Sequence, residues 1–422
     1  MTGEFDLFDI GDGETEVRFA GRSFARSWLS DRRLAYATRF CTSLKHEKNQ
    51  RVFLHVSVMW QYACHMWNPS EPFNQLPDPP AAKLETKAVL KATVEARVAI
   101  ASLDQAVRRI PNPSVLVSAI PLLEAKASSE VENIVTTTDE LFRFAADTEE
   151  KASPETKETL RYRSALFAGL KSIQKRPLTS LTAADVCTHI KGRQMGVREL
   201  SGTYIGNPVT KEARYTPPEG RAVIEQKLSA WERFIHGSSE LDPLIVMAAA
   251  HYQFEAIHPF ADGNGRTGRI LNVLLLVEAG LIREPVLYLS RHIIRNKDEY
   301  YERLLSVSRD EDWENWLLFM LEGVRSTSVE TLSILDEIQA LQFTMRDELR
   351  DVTSAGANAD MLDLLFEQPY CRIANVVERC GVSRPTASKW LNELVGAGKL
   401  RDLRIGRERL FINHRFLDVL AG

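Results

Sequence analysis

A chain of 422 residues carrying 53 Lys and Arg against 57 Asp and Glu has a net charge of −4, which excludes a protein that coats nucleic acid or an anionic membrane over its whole surface. The length exceeds one ordinary hydrophobic core and predicts two or three domains. The longest apolar runs, 244–250 and 270–277, are too short to span a bilayer and read as buried helices with no membrane partner. The acidic first residues lack the basic start and apolar centre of a signal peptide. The cysteines are five, scattered and in no C-x-x-C pair. They read as reduced thiols of a cytoplasmic protein, not as a disulfide framework or zinc site.

In chain order, residues 1–65 show little helical or strand periodicity and form an unmatched extension. They are expected to be dispensable, with Met66 as the native start. Residues 66–150 are a helical region with a break at Ile110-Pro111-Asn112-Pro113, because residues before proline avoid the α region. Pro121 then suits the first turn of a helix. On that helix Leu123, Ala127, Val131 and Ile134 form an apolar stripe, and Ser128 and Glu132 lie one turn apart on a neighbouring face. By itself this is an ordinary amphipathic helix with a solvated acid. Residues 151–325 carry helices at 155–173 and 183–193, a hairpin over 198–216 ended by Pro217-Pro218, and helices at 221–235, 243–257, 267–278, 296–307 and 312–322. A linker, 326–356, holds a separate helix at 327–349. Residues 357–422 read as helix, helix, turn, helix and hairpin. The fold class expected is mainly α: a helical core with a β-hairpin flap, and a small C-terminal winged-helix domain.

The chemistry concentrates in His258-Pro259-Phe260-Ala261-Asp262-Gly263-Asn264-Gly265-Arg266-Thr267-Gly268-Arg269. An apolar helix runs into His258-Pro259, and a new helix opens at about Arg266. Amides at a glycine-rich loop and helix N-terminus form an anion nest with the positive end of the helix dipole behind it. Gly263 and Gly265 let a diphosphate approach the backbone. Arg266 and Arg269, three apart, offer two guanidinium forks. Asp262 supplies a hard oxygen for Mg²⁺, and His258 stands at the entrance, placed to take a proton from a hydroxyl. Each piece alone is common; their combination at fixed spacing is not.

This stretch matches the signature H-P-F-x-D-G-N-G-R-x-x-R at every specified position, and the chain from about Met66 resembles the Fic family of protein adenylyltransferases. The resemblance implies transfer of AMP from ATP to a Ser, Thr or Tyr hydroxyl of a target protein, with Mg²⁺ as cofactor and self-modification as a further outcome. His258 would be the catalytic base and Asp262 the metal ligand. Gly263, Asn264, Gly265, Arg266, Thr267, Gly268 and Arg269 would hold the nucleotide, with the arginines on the β- and γ-phosphates, and Phe260 would anchor the loop in the core. Tyr300 and Tyr301 lie where relatives line the adenine pocket, although such pairs on helices are mostly core. Thr203, Tyr204 and Ile205 fall in the flap, which would add an extended target segment as a strand. Ser128, Glu132 and Asn133 resemble the family's inhibitory motif, [ST]-x-x-x-E-[GN], with Glu132 pairing with Arg269 in place of the γ-phosphate.

In the C-terminal segment Gly381 fits the turn of a helix-turn-helix, Ser383 caps the next helix and residues 400–413 alternate as a wing. From Arg384 to Arg415 there are eight Lys or Arg and three Asp or Glu, an excess that DNA phosphates would favour; packing or dimerisation is the other role for such a unit. The alternatives to an autoinhibited adenylyltransferase are a winged-helix DNA-binding regulator with a nucleotide-sensing core, and an enzyme that removes AMP.

Overall fold

The computed structural model describes residues 5–9, 15–19, 22–23, 67–110, 114–145, 152–206, 210, 212–405 and 408–421. The expected break at 111–113, the centre of the flap turn and the wing glycine at 406 lie outside them. Two compact units result, Met1–Met66 and Trp67–Gly422. The first contains β1 (Phe5–Asp9), β2 (Thr15–Phe19) and β3 (Arg22–Ser23), an antiparallel sheet in sequence order with Leu7 opposite Val17. This corrects the reading of that segment as aperiodic. The alternation in Phe5-Asp6-Leu7 and Val17-Arg18-Phe19 is too brief to stand out.

The second unit begins with α1 (Ala81–Leu84) and α2 (Lys87–Arg109), the latter capped by Thr86, whose side chain accepts from Val89 N. Its buried Val89, Thr93, Ala96, Ile100, Leu103 and Val107 recur at helical spacing. Next come α3 (Ser114–Val131), α4 (Thr138–Phe144), α5 (Pro154–Ile173) and α6 (Ser180–Lys191). The strand pair β4 (Ile205–Gly206) and β5 (Ala213–Tyr215) follows, antiparallel with a bulge. Then come α7 (Arg221–Gly237), α8 (Pro243–Ile257), α9 (Asn264–Glu278), α10 (Leu289–Arg295), α11 (Lys297–Asp310) and α12 (Trp313–Val352). α8 starts at Pro243, with Asp242 accepting from Leu244 N, and is buried on every side from Leu244 to Phe254. α9 is buried almost throughout. These two adjacent helices form the centre of the core, and the residues between them, 258–263, are the loop singled out above.

Two boundaries differ from expectation. Pro121 is not in a first turn but inside α3. The internal proline, which costs an exposed helix about 3 kcal/mol, is carried by burial: Ala119, Ile120, Leu122 and Leu123 are all enclosed. The separate helices 312–322 and 327–349 are one helix of 40 residues, α12. Gly323 does not break it, and the polar run after it turns its hydroxyls back on the helix. Thr327 Oγ1 donates to Gly323 O at 2.6 Å and Thr331 Oγ1 to Thr327 O at 2.7 Å.

After α12 come α13 (Ala359–Glu367), β6 (Tyr370–Cys371), α14 (Ile373–Cys380), α15 (Arg384–Gly396), β7 (Arg401–Ile405), β8 (Glu408–Ile412) and α16 (His414–Ala421), with a sheet ordered β6-β8-β7. α14 ends on Gly381 at φ 65°, and Ser383 caps α15. This segment docks on the rest: α13 packs against α3, and the Tyr370 hydroxyl donates to the Asp139 carboxylate of α4.

The buried Trp316 of α12 donates from Nε1 to Ala248 O of α8 at 2.8 Å. Trp316→Phe should therefore cost about 1–3 kcal/mol, read as a lowered urea midpoint; an unchanged midpoint would show that α12 and α8 do not depend on that contact.

Candidate active site

α8 terminates at His258, which adopts the left-handed conformation (φ 49°, ψ 58°) while its N–H still donates to Phe254 O. A side chain with a Cβ disfavours that region by about 1–2 kcal/mol, so the surroundings must impose it. Arg198, only 5 % exposed, does much of this. Its Nε donates to His258 O at 2.8 Å, its terminal nitrogen to Pro218 O, and its backbone N–H to Pro259 O at 2.9 Å. Burial first, and the Arg198 cation second, push the His258 imidazole down to about 4. It is neutral near pH 7 and able to accept a proton.

The loop is braced from within. Asn264 Nδ2 donates to Phe260 O and its Oδ1 accepts from Phe260 N, both at 2.8 Å, and the Phe260 ring is buried. Gly263 caps α9 at φ 87°, and the first helical bond is Thr267 N to Gly263 O. The amides of Asn264, Gly265 and Arg266 thus have no intrahelical acceptor and point at the mouth of a cavity of about 370 Å³ that His258, Glu132 and Asp262 also line.

Both arginines are 2 % exposed, and each is held by a carboxylate, although Arg266 Nε is buried without a hydrogen-bond partner. Arg266 donates to Glu158 Oε1 at 2.7 Å; the same oxygen accepts from Lys191 Nζ at 2.9 Å, and Lys191 Nζ lies 2.6 Å from Asp262 Oδ2. Arg269 donates from Nε to Ser128 Oγ at 2.7 Å, and from its terminal nitrogen to Ser128 O at 2.9 Å and Glu132 Oε1 at 2.8 Å. Burial alone would raise the Glu132 carboxyl, but Arg269 overrides it and holds Glu132 below the usual carboxylate range. Glu132 lies so close over the loop that a methyl group at position 265 would collide with its Oε1. Glu255, at Arg269's other flank, is pushed by burial up to about 8, and Gly268 gives it the room to approach.

The expected site residues therefore divide. His258, Asp262, Gly263, Gly265, Arg266, Glu132 and the backbone of Asn264 line one cavity, and Arg269 and Ser128 join it through Glu132. Three expected residues, Thr267, Gly268 and Tyr300, do not line that cavity. The Asn264 side chain braces the loop, and its expected part is the backbone amide. Thr267 is fully buried, and Gly268 faces Glu255 and His251 on the far side of α9, as positions three and four beyond the nest must. Tyr300 is 1 % exposed with its hydroxyl on His251 Nε2, a core residue rather than an adenine platform. Tyr301 is partly exposed, close enough for Glu132 to act on its hydroxyl. Asn133 takes a left-handed turn at φ 61° after α3 and accepts from Lys297 Nζ at 3.0 Å. Tyr204 is 40 % exposed beside Thr203 and Ile205 at the strand pair.

Glu158, Lys191, Arg198 and Glu255 were not singled out in the sequence. Only Glu255, three residues before His258, carried a positional hint. In the C-terminal segment Lys399 and Arg415 are committed to Glu348 and Arg409 to Asp402, so its free basic excess is smaller than the count implies. Arg384, Arg401 and Arg404 are exposed.

Three family profiles match consecutive parts of the chain: "Fic/DOC family N-terminal" over 90–171, "Fic/DOC family" over 180–276, and "Protein adenylyltransferase SoFic-like, C-terminal domain" over 341–416. Residues 90–276 carry the two Fic/DOC family segments. Among the relatives of this chain are proteins named "Protein adenylyltransferase Fic" from Drosophila virilis, 30 % identical over 142 residues, and Drosophila sechellia, 34 % identical over 142 residues. These matches cover 34 % of this chain and 27 % and 26 % of the relatives, so the matched part spans about a quarter of their length. A solved Fic family protein from Desulfovibrio desulfuricans G20 aligns at a TM-score of 0.48 and 18 % identity, over 80 % of this chain and 98 % of that one.

The His258 imidazole in the full chain should titrate near 4 by NMR. Arg198→Met should move that midpoint upward, because a cation that disfavours the imidazolium is removed; a midpoint near 6.5 in the parent would place the ring in water.

Proposed function

We propose that this chain is a protein adenylyltransferase that moves AMP from ATP onto a hydroxyl of a target protein, Ser, Thr or Tyr, and that Glu132 holds it inactive. The observation that carries the reading is one cavity lined by a neutral imidazole, the first residues of α9, Arg266 and the carboxylates of Glu132, Glu158 and Asp262, with Arg269 buried behind it. A triphosphate laid along the amides meets an anion nest and the positive end of α9. The target hydroxyl attacks the α-phosphorus in line. A bond forms between the hydroxyl oxygen and phosphorus, the bond from phosphorus to the oxygen bridging the β-phosphate breaks, and the hydroxyl proton passes to His258. Pyrophosphate leaves with its charge on the α9 amides and the arginines.

Magnesium fits at Asp262. The carboxylate is 56 % exposed, and among the described residues no cluster of three His, Cys, Asp or Glu could hold a metal without outside ligands. One carboxylate completed by phosphate oxygens and water is the coordination this ion favours. When bound it would supply charge neutralisation at the phosphates.

Glu132 explains silence. Arg269 is the cation a γ-phosphate needs, and its Nε and one terminal nitrogen are taken by Ser128 and Glu132. Truncating one partner of a desolvated Arg–carboxylate pair costs about 2–5 kcal/mol, reduced here because Glu132 is a third exposed. Holding a two-state switch 99:1 on one side takes only about half of the roughly 5.5 kcal/mol needed to reverse it. The exposed Tyr204, and the side of β4 that pairs with no strand among the described residues, support strand addition by the target.

With labelled ATP and a lysate of candidate targets, Glu132→Gly should raise labelling, self-labelling included, about tenfold or more. His258→Ala in that background should abolish it while leaving nucleotide binding within a few-fold. Equal labelling by the parent and Glu132→Gly at saturating Mg²⁺ and ATP would remove the inhibitory role. Release of AMP from modified protein with no transfer would replace transfer by removal.

A further inference from the structure

We infer that Lys191 is a cationic placeholder on Asp262, occupying the carboxylate until a divalent cation arrives with the nucleotide and thereby setting how strongly that cation contributes to binding. The inference rests on the adenylyl-transfer reading. Lys191 is the last residue of α6, ahead of the left-handed Gly192. Its stem runs along Gly263, where an added Cβ would lie 3.4 Å from Cδ. Its ammonium, 15 % exposed, is 2.6 Å from Asp262 Oδ2 and 2.9 Å from Glu158 Oε1. Asp262 is the one acid of the loop and the most exposed of the three carboxylates that line the cavity, at 56 % against 34 % for Glu132 and 24 % for Glu158, which leaves it the most open to a hard cation. A cation bound inner-sphere to it would face the ammonium at a few ångströms, and two cations so close repel.

Glu158 makes the exchange feasible. It already holds Lys191, and it holds Arg266 at 2.7 Å. An ammonium displaced from Asp262 therefore keeps a carboxylate partner and is not stranded as a buried, unpaired charge. The titratable groups around the exchange are Asp262 and Glu158 as acceptors, Lys191 and Arg266 as donors, with Arg266 NH2 at 3.9 Å from Asp262 Oδ1, and the Cys187 thiol, which donates to Asp262 O at 3.3 Å. Lys191 thus acts through Asp262 as a positioning residue.

The test uses the full chain carrying Glu132→Gly and an ATP analogue with a methylene between the α- and β-phosphates, which cannot be cleaved. Its dissociation constant is measured with Mg²⁺ and with EDTA, and the ratio isolates the metal's contribution. Lys191→Met should raise the ratio by about fivefold, the upper worth of a partly exposed pair. Lys191→Arg should preserve the parental ratio, and Asp262→Asn should bring it close to one. Lys191→Gln serves as a second neutral variant if Lys191→Met folds poorly by thermal melt. An unchanged or lowered ratio in a folded neutral variant overturns the inference. So does an equal loss of affinity in Mg²⁺ and EDTA, which would make Lys191 a direct phosphate ligand. Label transfer by the Glu132→Gly chain is scored separately: transfer with an unmoved ratio sinks the placeholder alone, and a moved ratio without transfer sinks the catalytic reading alone.

Discussion

A guanidinium buried at the head of a helix has to be answered, and Arg269 organises the centre of this molecule for that reason. At 2 % exposure it cannot be satisfied by bulk water, and an uncompensated charge there is strongly destabilising. Ser128 answers with its hydroxyl and its carbonyl, and Glu132 with its carboxylate. The end of α3 is thereby tied to the first turns of α9, and the turn that follows α3 is drawn over the mouth of the cavity. The same requirement means that whatever displaces Glu132 must bring negative charge of its own.

A second set of constraints is steric. His258 holds a backbone conformation that favours glycine, and Arg198 pins the carbonyls on either side of the turn. Since Arg198 also reaches Pro218 at the end of the strand pair, the base of the flap and the base of the imidazole share one side chain. Tyr215 adds to this by donating from its hydroxyl to Ala256 O at 2.9 Å. The strand pair and the His258 turn therefore rest on a common foundation rather than on separate loops, which fixes the one relative to the other.

What was legible in the sequence is what is local. The loop and its histidine could be read because chain order alone places His258, the glycines and the arginines within one turn-and-helix. α8 could be read residue for residue because an N-terminal Asp-Pro and a terminal His-Pro punctuate it. Glu158, Lys191 and Arg198 were hidden: each meets the loop across a separation of 60 residues or more, and lysines, glutamates and arginines usually face solvent. The absence of Thr267 and Gly268 from the cavity lining follows from helical period, yet a matched motif does not distinguish residues that line a cavity from those that brace it. Pro121 and the seam near 326 were misjudged because burial outweighs local propensity, which only the assembled core reveals.

α12 has a consequence for how the molecule can be taken apart. At about 1.5 Å per residue its 40 residues run about 60 Å, from the aromatic wall around Trp316 to the segment that carries β6–β8. Its buried face continues through Thr327, Ser328, Thr331, Leu335 and Ile338. No exposed joint exists along that span at which a protease, or an experimenter seeking a minimal catalytic fragment, could part the ends without stripping one of them of its packing. The terminal segment is a graft on a common trunk, so its gain or loss is felt by the catalytic half as a change in its own interior.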